Sequence, residues 1–158
     1  MSYCVGAMGQ GMIYAMMSSY ISDYYLNVLQ LAPMFVLLLM LLARVWDAIN
    51  DPLMGMIVDH HTTKRGKMKP YIIYAAAPIG ILTVLMYFAP NISKTALMVY
   101  TAAVYVLWGM IYTMADVPFW SLPNVLTPDA DERGKVISVG RTFNGVGSAV
   151  PEVLFLVI

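Results

Sequence analysis

Long apolar stretches alternate with short polar ones along the whole chain. Apolar residues dominate about 3–25, 32–58, 71–88, 96–122 and 136–158. Each stretch reaches or approaches the roughly 20 residues that a helix needs to cross hydrocarbon. Between the second and third lies a long polar turn, Asp59-His60-His61-Thr62-Thr63-Lys64-Arg65-Gly66-Lys67-Met68-Lys69-Pro70. Shorter interruptions are Pro90-Asn91-Ile92-Ser93-Lys94 and Thr127-Pro128-Asp129-Ala130-Asp131-Glu132-Arg133-Gly134-Lys135. The pattern predicts an all-α membrane protein with about five transmembrane helices, the last starting near 136.

The polar residues inside those stretches carry the chemistry. The second stretch holds Arg44, Asp47 and Asp51. A charge near the bilayer centre costs roughly 2.5–3.5 kcal/mol on insertion scales, so such residues face protein or water and mark function. Asp47 and Asp51 are four apart, which puts both carboxylates on one helical face, with Arg44 about one turn before them. Two inward carboxylates on one stripe read first as a cation site. Pro52, which has no N–H, frees the carbonyl of Ala48 and loosens the helix just past the pair.

The first stretch carries Gly6, Gly9 and Gly11, then Ser18 and Ser19. Small residues let a neighbouring helix come close. Gln10 needs a partner inside the bundle, and Asp23-Tyr24-Tyr25 reads as an interfacial end at headgroup level. In the fourth stretch Tyr105, Trp108, Tyr112, Asp116 and Trp120 recur at three- and four-residue steps. For Tyr105 and Trp108 packing against lipid or another helix is the expected role. Asp116 changes the meaning of its neighbours, because aromatic faces stack on sugar C–H faces and one carboxylate accepts from two hydroxyls. Pro118 and Pro123 are expected to break this helix near its end. The last stretch places Arg141 and Glu152 on one face, eleven residues or about three turns apart. Arg141 near the helix start fits snorkelling to the interface, and Glu152 has no evident role.

Composition narrows the class. Of 158 residues 60% are hydrophobic and 11% charged, too few charges to cover a soluble domain of this size. A net charge of zero leaves nothing to neutralise a phosphate backbone, so a nucleic-acid partner is not expected. The single cysteine, Cys4, cannot form an internal disulfide. Met1-Ser2-Tyr3 lacks a basic start and no cleavage site follows, so the first helix is expected to be retained. His60 and His61 lack a third ligand at metal spacing and read as solvated. Asn91-Ile92-Ser93 has the form of a glycosylation acceptor, with meaning only in a host that glycosylates. Lys64, Arg65, Lys67 and Lys69 with Arg133 and Lys135 lie on one side of the membrane, against Lys94 on the other. The positive-inside rule then predicts a multi-pass cell-membrane protein with its N-terminus in the cytoplasm.

These residues also carry a family resemblance. Arg44-Val45-Trp46-Asp47-Ala48-Ile49-Asn50-Asp51-Pro52-Leu53-Met54-Gly55, then Val58-Asp59 and Arg65-Gly66-Lys67-Met68-Lys69-Pro70, resemble the second helix and following loop of the glycoside–pentoside–hexuronide (GPH):cation symporters. This melibiose permease-like family lies within the major facilitator superfamily. Trp108-Gly109-Met110-Ile111-Tyr112-Thr113-Met114-Ala115-Asp116-Val117-Pro118-Phe119-Trp120-Ser121-Leu122 is similar to its fourth helix, and Asp131-Glu132-Arg133 leading to Arg141 is similar to its fifth. The resemblance covers essentially the whole chain.

The resemblance implies a sodium- or proton-coupled sugar symporter, not an enzyme, with no cofactor beyond the coupling cation. Asp47 and Asp51 would form the cation site, with Asn50 and Thr113 as neutral oxygen donors. Asp116, Trp120, Tyr112 and Arg141 would bind the sugar, and Gly55, Asp59, Gly66 and Lys67 would form the superfamily's loop motif. The physics agrees, since two carboxylates one turn apart repel unless a cation or proton lies between them. Gln10-Gly11 departs from the family, some of whose members carry a lysine–aspartate pair there. Arg65 stands where tryptophan is common. The superfamily fold has twelve helices in two halves built of inverted repeats. The resemblance therefore implies a single partial domain, 1–158, without helix VI and the C-terminal half, inactive alone and needing that half as a partner. Two other readings are a short homo-oligomeric transporter and an intramembrane aspartyl hydrolase. An odd helix count argues against the first, and both aspartates lying on one helix argues against the second.

Overall fold

A computed structural model describes residues 2–60 and 68–157. His61, Lys64, Arg65, Gly66 and Lys67 lie outside the described residues. Every regular element among the described residues is helical. In chain order these are α1 (Ser2–Ala15), a π-helical turn (Met16–Tyr20), α2 (Ile21–Asp23), a second π-helical turn (Tyr24–Val28), α3 (Pro33–His60), α4 (Lys69–Met86), α5 (Lys94–Ser121), α6 (Pro123–Leu126) and α7 (Ala130–Val157). Among the described residues three spans are long and apolar enough to cross a membrane: Pro33–Val58, Lys69–Met86 and Lys94–Leu126. The first stretch is divided by its π-helical turns, and α7 carries acidic residues in its first turn.

The helix ends follow local chemistry. Ser93 caps α5 by accepting from the Ala96 N–H at 3.4 Å. The last helix begins at Ala130, upstream of the expected start near 136. Asp129 explains the difference: its carboxylate accepts from the Asp131 N–H at 3.0 Å and its carbonyl from the Arg133 N–H at 3.1 Å. Asp131 and Glu132 then sit in the first turn, where negative charge suits the helix dipole. Pro52, Pro78, Pro118 and Pro151 all lie inside helices. Pro118 lies inside α5, which continues to Ser121, and Pro123 begins a new element.

The described chain divides into two compact units, Met1–Asp23 with Pro123–Ile158, and Tyr24–Leu122. In the first unit α1 packs along α7. Any Cβ added at Gly11 would collide with the Asn144 backbone, and one at Gly147 with the Met8 backbone. The Asn144 amide closes this seam by donating to the Ala7 carbonyl at 3.1 Å. Gly9, by contrast, faces open space. Only part of the expected glycine run therefore serves close approach.

In the second unit α5 packs against both α3 and α4. One end is closed by Met54, Val58 and Met68, with Tyr71, Val117 and Leu122 packed on them. Near the start of α5, the Tyr100 hydroxyl donates to the Leu85 carbonyl at 2.8 Å, and that of Tyr24 to the Tyr87 carbonyl at 2.7 Å. Tyr25 is fully buried. Leu29 N–H and Leu31 N–H bond back to the carbonyls of Tyr24 and Tyr25, and Gln30 between them turns to φ 50°. This left-handed residue ends the helical run ahead of α3.

Candidate cation and substrate site

The acidic pair meets α5 residue for residue. On α3, Asp47 and Asp51 are one turn apart, and on α5 so are Gly109 and Thr113. A Cβ built on Gly109 would lie 3.5 Å from Asp47 Oδ1. One turn further, the Thr113 hydroxyl lies 3.0 Å from Asp51 Oδ1. The two contacts advance together, so α3 and α5 run parallel here, as two helices separated by one intervening span must.

Thr113 has one hydroxyl proton and two acceptors. Its oxygen is 3.0 Å from Asp51 Oδ1 and 3.1 Å from the Gly109 carbonyl. When the proton goes to Gly109, the oxygen's lone pairs are free to face a cation beside Asp51. Thr113 is buried, Asp47 and Asn50 are half-buried, and Asp51 is exposed. The Asn50 side-chain nitrogen is buried without a hydrogen-bond partner among the described residues. An amide in that state can turn to present its oxygen instead. The donor set available from one patch is thus two carboxylates, a hydroxyl and an amide oxygen, which suits a small hard cation or a proton.

The remaining predicted residues divide between the units. Tyr112 and Trp120 both reach the Asp116 carboxylate as hydrogen-bond donors, and Asp116 lies within electrostatic reach of Asp51. Trp120 also meets Phe119 edge to face, with ring centroids 5.6 Å apart. Arg141 belongs to the first unit, where it lies within electrostatic reach of Tyr3. Gly55 and Asp59 lie on α3, and a Cβ at Gly55 would meet nothing within 4 Å; Gly66 and Lys67 lie outside the described residues. An open groove of about 850 Å³ lies elsewhere, in the N-terminal halves of α3 and α5, lined by Phe35, Met98, Val99, Ala102 and Val106 among others. Its apolar walls offer a sugar almost nothing to bond. No cluster of three or more histidine, cysteine or acidic side chains is found among the described residues.

Comparison with known proteins now bears on this geometry. The profile of the family described as MFS/sugar transport protein matches residues 2–158. The chain belongs to that family. Its relatives include the inner membrane symporter YicJ of Escherichia coli, 33% identical over 83% of this chain and 28% of the relative. The uncharacterized symporter YjmB of Bacillus subtilis is 30% identical over 94% of this chain and 32% of the relative. The isoprimeverose transporter of Lactiplantibacillus pentosus is 26% identical over 94% of this chain and 31% of the relative. The chain thus spans less than a third of the length of these curated relatives. The MFS/sugar transport assignment agrees with the GPH symporter resemblance and with a helical, multi-pass membrane protein.

Two features were not singled out from the sequence. Gly109 was not, because nothing on α5 alone shows which glycine faces a carboxylate on another helix. Trp108 was read as packing, and it is indeed buried. It also donates its indole N–H to Thr83 and stacks on Tyr112. The available signal was the four-residue step from Trp108 to Tyr112.

Proposed function

We propose that this chain is the N-terminal part of a sodium- or proton-coupled sugar symporter. Asp47, Asp51, Asn50 and Thr113 take the coupling cation. Asp116, Trp120, Tyr112 and Arg141 take the sugar, a glycoside, pentoside or hexuronide. The observation that carries the reading is the Thr113–Asp51 hydrogen bond, 3.0 Å long, which ties the helix bearing the acidic pair to the helix bearing Asp116. Coupling follows from charge. With the site empty, the charge on Asp51 acts on Asp116. A cation or proton between Asp47 and Asp51 removes that repulsion, leaving Asp116 better able to accept from sugar hydroxyls. Linkage makes the effect mutual, so bound sugar tightens the cation site. The excess of basic residues in the loops supports a cytoplasmic N-terminus. Because the chain spans under a third of its relatives, vectorial uptake needs the remainder of the fold, and the isolated chain drives none.

The test measures binding of nitrophenyl gluco-, galacto-, xylo- and glucuronosides to the native gene product in membrane vesicles, with and without Na⁺ and at varied pH. At least one glycoside should bind, and more tightly with cation. In Asp51→Asn the sugar should still bind but lose its cation dependence. Unaltered cation dependence in that variant would overturn the assignment of the site.

A further inference from the structure

The indole of Trp108 is only 2% exposed, yet its polar edge is satisfied. Its N–H donates to Thr83 Oγ1 at 2.8 Å, and the Thr83 hydroxyl donates in turn to the Ile79 carbonyl at 2.7 Å. Thr83 spends its one proton on its own helix, so it can only accept from the indole. The polarity of this chain is therefore fixed, and α4 sets the plane of a ring carried by α5. Tyr112 lies on that plane, with ring centroids 4.7 Å apart and an interplanar angle of 10°. Its side chain then bonds to Asp116.

We propose that Thr83 and Trp108 are positioning residues for the substrate side, holding Tyr112 so that it aims Asp116. The proposal rests on the symporter reading above. Neither residue needs to touch sugar. Thr83 fixes the indole, the indole face restricts the Tyr112 ring, and Tyr112 orients the Asp116 carboxylate, which has lone pairs beyond those used by Tyr112 and Trp120 to accept from sugar hydroxyls. The parallel ring face removes rotamers that Tyr112 would otherwise lose only on binding, a saving that corresponds to roughly a threefold to tenfold gain in affinity. The acidic pair is held by a different face of α5, through Gly109 and Thr113, so cation affinity should not depend on Thr83.

The experiment uses the native gene product in vesicles and the same four nitrophenyl glycosides. Thr83→Val keeps the shape and removes the acceptor. The sugar Kd should rise about threefold to tenfold, with the Na⁺ or H⁺ concentration for half-maximal effect unchanged. Thr83→Ser should restore binding. Trp108→Phe keeps a stacked ring and removes the N–H, so it should match Thr83→Val. The double variant should then be no worse than either single one, as members of one chain require. Unchanged sugar affinity in Thr83→Val, additive losses in the double variant, or equal losses of sugar and cation affinity without rescue by serine would each overturn the positioning role. If the unsubstituted protein binds none of the glycosides under any cation, the symporter reading fails and this inference fails with it. If the parent binds and Thr83→Val binds equally well, only the positioning role is lost.

Discussion

The α1–α7 and α3–α5 seams both depend on glycine, with opposite results. At Gly11 and Gly147 the facing helix brings its backbone, and no side-chain atom fits. At Gly109 the facing helix brings the Asp47 carboxylate, at ordinary contact distance from where a Cβ would stand. A hydrogen bond from the Asn144 side-chain amide to the Ala7 carbonyl crosses the first seam. The second is spanned by a hydroxyl that has a choice of acceptors, Asp51 or Gly109. Backbone against backbone makes a joint with one arrangement. A titratable pair against a glycine and a threonine makes one whose bonding changes with what occupies it.

The largest effect should come from filling the first seam. Gly147→Leu drives a side chain into the Met8 backbone, where overpacking costs about 3 kcal/mol or more. Melting in detergent should show a strongly lowered transition or no folded protein. A normal melt would show that the seam is not close-packed. Next comes the switchable hydroxyl. Thr113→Val removes the bond to Asp51 and one cation oxygen, at roughly 1–1.5 kcal/mol or about a tenfold loss in cation affinity. The fold should persist and Thr113→Ser should behave nearly as the parent, as titration of sugar binding with Na⁺ or pH would show. The smallest effect should follow Gly109→Ala. Its methyl would meet Asp47 Oδ1 at 3.5 Å, so cation affinity should shift by about threefold or less, with melting unchanged. A collapse like that of Gly147→Leu would erase the contrast between the seams.

Much of this was legible before any coordinates. Runs of apolar residues predicted membrane helices because hydrocarbon forces every backbone group to bond within its own segment. Asp47 and Asp51 stood out because a four-residue step puts them on one face and a membrane interior penalises both. One helix start differs from the expectation. The charges of residues 130–135 suggest a loop, yet these residues are helical because Asp129 caps the helix start ahead of them. Packing against lipid or another helix is the reading that the aromatic stripe gives Trp108; its hydrogen bond to Thr83 comes from α4, 25 residues away, and no periodicity within α5 encodes it.

By itself the amino-acid sequence determined the class, the family and which side chains share a face of each helix. Those properties depend on spacing within one segment and on the cost of putting charge into hydrocarbon. Only the tertiary structure decided that Asp47 meets Gly109, that Asp51 meets Thr113, and that Gly147 and Gly11, but not Gly9, admit a neighbouring backbone. The register between two helices is chosen by the fit of both surfaces at once, and neither surface specifies it alone.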